Sequence, residues 1–249
     1  MQHRQKGGLM RLREGRVKRN EKKGNFYWME VEVPEIPSLA GPGQFVMVRG
    51  WEGYELFLPR PLSIAWSSPT CLFFLIRVKG RGTELLSRMK PGEKIWITGP
   101  LGRRIELPEK FILVGGGIGI APLLFLSRWG KGYAFVGGKN KDEIFGTELL
   151  EKNGFEVLLA TEDGSLGYKG TVVDLFFKKL PERLPVYACG PRPMLEKLQG
   201  YDGEIYGFLE ERMGCGMGIC KGCAIRTKGG IKHLCTDGPV FNLKEVVFD

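Results

Sequence analysis

Four cysteines near the C-terminus, Cys215, Cys220, Cys223 and Cys235, stand at the spacing C-x4-C-x2-C-x11-C, and no other feature of the 249-residue chain constrains its fold as strongly. One tight loop and one later segment that together deliver four thiolates match the plant-type [2Fe–2S] pattern. Gly214, Gly216, Gly218 and Gly222 surround them. Glycine lets the backbone wrap closely around a ligand and turn N–H groups toward it, and such hydrogen bonds help set a cluster's potential. Two other uses of these thiols compete. A structural zinc site usually pairs two C-x2-C knuckles, and this loop has one; a pair of disulfides suits a secreted chain. Spacing and glycine context together favour the cluster, with a zinc-stapled, nucleotide-sensing binding module as the rival from outside redox chemistry.

With 43% hydrophobic residues the chain can build two cores and a small further module. No apolar run approaches the ~18 residues of a membrane span, and the opening MQHRQKGGLMRLREGRVKRNEKK lacks the apolar centre of a signal peptide. The expectation is a cytoplasmic chain with no membrane partner and, with only Cys71 and Cys189 left over, no disulfide framework. The net charge of +9 comes from cations scattered among acids. Its densest stretch, Arg11 to Lys23, reads as a solvated strand and turn rather than an RNA-binding arm, so no nucleic-acid partner is expected.

Up to residue 105 the chain shows short apolar or alternating runs, YWMEVEV, GQFVMV, PLSIAW, CLFFLIRV and EKIWITG, punctuated by turn residues. This predicts antiparallel strands closing into a small barrel, interrupted by one helix over GTELLSRM that ends before Pro91. From Lys110 apolar strands alternate with helices (FILVGGG, IAPLLFLSRWG, GYAFVGG, TELLEKNG, FEVLLAT, TVVDLFFKKL, PVYACGP, MLEKLQG), the mark of a helix-covered parallel sheet. The remainder is too short to bury its own core and needs the metal centre as a staple. The fold class expected is therefore α+β and multi-domain: an antiparallel β-barrel domain over 1–105, an α/β parallel-sheet domain over 106–203 and a small [2Fe–2S] module over 204–249.

Within the first domain Arg60-Pro61-Leu62-Ser63 is followed by Gly80-Arg81-Gly82-Thr83 at a helix start. An arginine can pair bidentately with phosphate, a serine hydroxyl can bond a flavin ring nitrogen, and a Gly82-Thr83 helix start offers N–H groups to a pyrophosphate. Each motif alone has a plain reading, as a strand edge or a cap; together, upstream of a nucleotide domain, they point to FAD. The second domain opens with a strand running into Gly115-Gly116-Gly117-Ile118-Gly119, a turn in which a dinucleotide pyrophosphate can approach the backbone. Cys189 and Gly190 end a later strand, where open α/β sheets bind ligands, so Cys189 either borders a nicotinamide or is a core thiol. Thr161-Glu162-Asp163-Gly164-Ser165 either faces the adenosine end, its acids disfavouring a 2′-phosphate and so favouring NAD, or is a solvated loop. His3 and His233 belong to no acid–base constellation, and no catalytic residue is assigned.

Barrel with RPLS and GxGT, then GGGIGIAP and CGP, then the compact cysteine module resembles the ferredoxin-reductase superfamily, and within it the electron-transfer subunits of class 1B dihydroorotate dehydrogenases. The resemblance covers nearly the whole chain. Its most specific part is CGMGICKGC with LCTDGPVF, because related reductases carry a longer gap before the fourth cysteine. Gly99-Pro100-Leu101-Gly102-Arg103-Arg104-Ile105 departs from the family's GPLGxGF, lacking the second glycine and the aromatic. The resemblance implies FAD contacts at Arg60, Pro61, Leu62 and Ser63, then Leu75, Ile76 and Arg77, then Gly82 and Thr83; cluster ligation by the four cysteines; and NAD as exchanging substrate. It also implies an FMN-containing dihydroorotate dehydrogenase catalytic subunit as partner, in a heterotetramer of two of each chain serving pyrimidine biosynthesis. A hydride donor gives two electrons and a cluster takes one at a time, so a flavin between them splits the pair. The same architecture would serve a hydrogenase, a sulfite reductase or a ferredoxin:NADP reductase complex.

Overall fold

A computed structural model describes residues 11–53 and 56–248; His3 lies outside the described residues. The first domain contains β1 (Arg11–Lys23), β2 (Phe26–Glu32), the short helix α1 (Ile36–Leu39), β3 (Phe45–Arg49), β4 (Arg60–Ser63), β5 (Trp66–Ser67), β6 (Cys71–Ile76), α2 (Arg81–Arg88) and β7 (Lys94–Leu101). Its strands form one antiparallel seven-stranded sheet in the order β4-β3-β7-β1-β2-β6-β5. The basic stretch is thus a central strand, bonded to β2 and β7. Its cations from Arg16 to Lys23 are exposed, and some meet acids across the ladder, as Lys18 meets Glu32 at 3.5 Å. The run PLSIAW breaks into β4 and β5, and these two edge strands are not hydrogen-bonded to each other. The barrel is therefore curled but open in its ladder, filled by Met29, Val31, Val46, Val48, Phe74 and Ile97.

The second domain contains β8 (Lys110–Gly116), α3 (Ile120–Leu126), β9 (Lys131–Gly138), α4 (Thr147–Lys152), β10 (Phe155–Thr161), β11 (Tyr168–Lys169), α5 (Val172–Lys179), β12 (Val186–Cys189), α6 (Arg192–Leu198) and β13 (Ile205–Phe208). The last part of the chain adds a hairpin of β14 (Ala224–Thr227) and β15 (Gly230–His233), then α7 (Leu234–Asp237) and β16 (Val240–Asn242). The second sheet runs β11-β10-β9-β8-β12-β13-β16, parallel throughout except for β16. Strands that supply both faces with apolar side chains bury Ile112, Val114 and Phe135 toward α5 and α6, and Leu113, Ala134 and Val136 toward α3 and α4.

Two strands from the segment read as the cluster module, β13 and β16, complete this second sheet. They pair antiparallel through Tyr206 with Asn242 and Phe208 with Val240, so the cysteine loop and the β14–β15 hairpin emerge from and return to the same sheet edge. Cys223, Leu234 and Cys235 share a buried cluster with Phe45, Met47 and Leu101 of the first domain. The module leans on both domains at once.

The two large domains meet along a second line. The Asn25 N–H donates to the Asp142 carbonyl at 3.1 Å, Trp28 packs on Phe145 with centroids 5.2 Å apart, and Arg77 bonds Glu143. Among the described residues no helix is long and apolar enough to cross a membrane.

Candidate functional site

The parallel sheet changes direction between β8 and β12: the chain proceeds from β8 to β9 and β10 on one side, then crosses to β12 and β13 on the other. Ligands bind open α/β sheets at the carboxyl ends of the strands at such a switch point. Gly115 and Cys189 are partners in the β8–β12 register there, which brings together two of the motifs singled out above. The approach is backbone against backbone. A Cβ on Gly119 would stand 2.2 Å from the Cys189 carbonyl oxygen, and one on Gly116 would meet Met194 Sδ at 2.7 Å and Pro191 at 3.1 Å.

A cleft of about 340 Å³ opens in front of this contact, floored by Gly116, Gly117, Gly137, Gly138 and Gly190. Gly117 has φ 54°, and a Cβ there would project toward Glu143 and Arg77, each more than 3.5 Å away. Arg77, Lys79, Lys139 and Lys197 line it together with Glu143, Glu162 and Glu210; Glu143 bonds Arg77, and Glu210 stands 4.0 Å from Lys79. A glycine floor lined by more cations than acids suits an anionic, extended ligand. Asp163 is spent differently: its carboxylate accepts from the Ser165 N–H at 2.9 Å and hydroxyl at 2.6 Å, and these bonds hold it below the usual carboxylate range. Cys189 itself does not line the cleft. It is 3% exposed among core residues, and burial pushes its thiol well above 9.0, with Glu210 adding to the effect. Among the lining residues Lys79, Glu143 and Glu210 had no marker in the sequence, being ordinary surface-type charges until the fold gathered them.

In the first domain RPLS is the edge strand β4, every residue half-buried. The Arg60 guanidinium lies over the Trp51 ring at 5.3 Å and rests on Gly82, where a Cβ would stand 2.4 Å from Nε. Both halves of the predicted flavin motif thus share one surface. Thr83 Oγ1 accepts from the Lys79 and Gly80 N–H groups at 2.9 and 3.2 Å, so its hydroxyl caps the turn rather than projecting outward. Leu75 and Ile76 are 4% and 1% exposed and offer a ligand main chain only. Arg77 turns to the domain boundary, over Phe26 at 5.2 Å and onto Glu143.

The cysteines fall into two pairs. Cys223 and Cys235, both buried, have sulfurs 3.3 Å apart; Cys215 and the exposed Cys220 form the outer pair, with the Cys220 N–H donating to Cys215 Sγ at 3.4 Å. Among the described residues no three His, Cys, Asp or Glu side chains converge on one ion; two pairs are the arrangement that two irons sharing four thiolates require. Main-chain donors reach the sulfurs as the glycine content predicted: Met217 N–H to Cys215 at 3.4 Å and Gly218 N–H to Cys235 at 3.1 Å. Burial alone would raise the Cys215 thiol, but donors from Cys220 and Met217 outweigh it and bring it down to about 6. Burial and the neighbouring Cys223 push Cys235 up to about 12. The His233 main-chain N–H donates to Asp237 Oδ2 at 2.8 Å, and its ring Nδ1 stands 3.9 Å from the same oxygen.

A curled antiparallel domain, a doubly wound domain with a glycine-floored cleft at its switch point and a four-thiol module define an iron–sulfur oxidoreductase chain of the ferredoxin-reductase type. A solved structure of an NADH-dependent reduced ferredoxin-NADP oxidoreductase, described for flavin-based electron bifurcation, superposes with TM-score 0.86 at 30% identity, over 94% of this chain and 90% of that one. The iron–sulfur cluster binding domain of dihydroorotate dehydrogenase B matches residues 210–247. The dihydroorotate dehydrogenase B (NAD(+)) electron transfer subunit of Desulforamulus reducens is 40% identical over 90% of this chain and 94% of its own length; that of Caldanaerobacter subterraneus subsp. tengcongensis is 42% identical over 83% and 87%. The chain belongs to the family of dihydroorotate dehydrogenase B electron transfer subunits.

Proposed function

We propose that this chain carries electrons between NAD(H) and the FMN of a dihydroorotate dehydrogenase catalytic subunit, holding FAD and a [2Fe–2S] cluster between them. The observation that carries the reading is that one chain brings the four thiols, the RPLS strand and the glycine-floored cleft onto contiguous packed elements. Bound flavin and cluster would supply the conversion between paired and single electrons. The protein's own work is placement and exclusion of water, and no side chain need become a covalent catalyst.

In this reading Arg60, with Pro61, Leu62, Ser63 and the α2 start at Gly82 and Thr83, holds the flavin. Its cation and the helix start beside it suit a pyrophosphate. Leu75 and Ile76 contribute main chain, and Arg77 a charge at the boundary between flavin and dinucleotide. Gly115, Gly116, Gly117, Gly119 and Gly190 let the dinucleotide lie on bare backbone, and Cys189 holds that backbone from beneath as a neutral, buried thiol. Glu162, which lines the cleft, disfavours a third phosphate, and this selects NAD over NADP. Cys215, Cys220, Cys223 and Cys235 hold the cluster, with Cys220 nearest the surface and hence nearest a partner. The assembly proposed is a cytoplasmic heterotetramer of two chains of each kind.

The purified chain should be brown-yellow, and anaerobic NADH should bleach both flavin and cluster absorbance. With the catalytic subunit it should support NAD-dependent orotate formation, and alone it should not oxidise dihydroorotate. A colourless, zinc-containing and iron-free protein would refute the electron-transfer reading. Recovery from the native cell with a hydrogenase or other oxidoreductase, without orotate formation, would move the partner while leaving the redox role in place.

A further inference from the structure

We infer that Met47 is the seat on which the cluster loop is moulded, and so the residue that holds the cluster in register with the flavin strand; this rests on the function proposed above. Met47 lies in the middle of β3 and is 1% exposed. Its main chain is paired with Pro61 of the RPLS strand on one side and with Thr98 of β7 on the other. Its side chain meets the cysteine loop: a Cβ on Gly216 would stand 2.6 Å from Met47 Cγ, 3.0 Å from its Sδ and 3.1 Å from Leu101 Cδ1.

Gly216 directly follows the first ligand, Cys215, and has φ 72°. Two demands coincide there, a left-handed backbone and the absence of a Cβ, and only glycine meets both without strain. The first turn of the ligand loop is thus pressed onto a thioether whose strand neighbour is the predicted flavin strand. Leu101, Cys223, Leu234 and Cys235 complete the same buried cluster. An unbranched methionine can fill the irregular space between a sheet and a loop, and here it does so within the core that also buries Cys223 and Cys235. From Cys215 to Pro61 the connection runs through Gly216, one van der Waals contact, Met47 and one ladder pairing. Met47 is a positioning residue; it ligates nothing.

The test uses the full chain loaded with FAD and cluster and the variants Met47→Leu, Met47→Val and Met47→Ala. Three quantities are read: the cluster's EPR spectrum, the rate of iron loss to a chelator, and the ratio of cluster-bleaching to flavin-bleaching rates after mixing with NADH. Leucine conserves volume and should leave all three close to those of the parent. Valine and then alanine should shift the EPR spectrum and speed iron loss. In the alanine variant the bleaching ratio should fall about tenfold or more, because small displacements of a reacting group are felt steeply. An alanine variant with parental EPR, chelator resistance and ratio would overturn the inference, as would equal slowing of both bleaching steps. If alanine prevents folding, the valine variant decides on the same ratio. A parent chain with no flavin or cluster signal would refute the proposed function instead, a result distinguishable from failure of the Met47 inference.

Discussion

Gly82 yields its side-chain space to Arg60: a Cβ at Gly82 would stand 2.4 Å from Arg60 Nε. The clash falls on the far end of a flexible side chain, so Gly82→Ala should cost little stability. Alanine also gains up to about 1 kcal/mol in helix propensity. Arg60, however, must leave its place over Trp51. A charge-assisted hydrogen bond to a ligand is worth about 1.5–3 kcal/mol, so FAD affinity should fall roughly ten- to a hundredfold in a fluorescence titration while the melting temperature stays put. Unchanged FAD affinity would remove Arg60 from the flavin site.

The two cysteine pairs should respond differently to serine. Cys220→Ser and Cys235→Ser should both abolish the cluster, read as lost iron and lost visible absorbance. Cys235 is 5% exposed, and burying a more polar hydroxyl there, with the Gly218 N–H to accept from but only the weakly accepting Cys223 sulfur to donate to, costs about 1–3 kcal/mol. The metal-free Cys235→Ser chain should therefore melt below the metal-free parent, whereas metal-free Cys220→Ser, altered at an exposed position, should not.

Glu143 joins the two large domains through Arg77 and also accepts from the Lys139 N–H at 3.2 Å. Its side chain is 11% exposed and that of Arg77 27%, so Glu143→Gln strands a partly buried guanidinium. The expected loss is about 2 kcal/mol in chemical denaturation, and Arg77→Gln in that background should add little, because the pair is already broken.

Alkaline pH should destabilise the fold through β12. Burial pushes the Tyr187 phenol from 10.0 up to about 12, with Tyr206 and Glu204 adding, and holds the Cys189 thiol well above 9.0. The unfolded chain releases these protons at ordinary pH values while the folded chain retains them, so stability is full below about pH 9 and declines as pH rises toward about 12. Denaturation midpoints measured across that window should fall, and Tyr187→Phe should flatten its upper part.

Ile219 and Ile231 are 75% and 68% exposed, with Met217 and Val247 also partly bare; Met217 and Ile219 lie between Cys215 and Cys220, Ile231 is on the β14–β15 hairpin, and the Val247 N–H donates to Arg226 of that hairpin. Exposed apolar groups beside an electron exit are where a catalytic subunit would dock. Ile219→Asp should weaken association by about 2 kcal/mol or more, read by titration calorimetry, while iron content stays at the parental level.

The strand pattern was legible because strands buried on one face alternate and those buried on two run continuously, as in YWMEVEV and FILVGGG. The helix over GTELLSRM appears as α2, displaced by one residue. The iron–sulfur domain was legible because the spacing of its four cysteines is a local property of the loop. What sequence concealed depends on contacts between distant segments. Nothing marks Met47 among the apolar residues of GQFVMV until Gly216 is laid on it, and Glu143 looks like any helix-start acid until Arg77 arrives from the other domain. The open edge between β4 and β5 was hidden for a similar reason: ladder closure depends on how far a sheet curls, which strand patterns do not encode.

Because β13 and β16 lie side by side, the stretch from 209 to 239 is topologically a long loop between adjacent strands, anchored at both ends on one sheet edge. A loop held this way can change in its exposed parts, the hairpin tip and the segment around Ile219, while Gly216, Cys223, Leu234 and Cys235 keep their seat against the scaffold. The redox terminus of this chain is a replaceable fitting, and chains with the same two large domains can be adapted to different partners by changing what is mounted there.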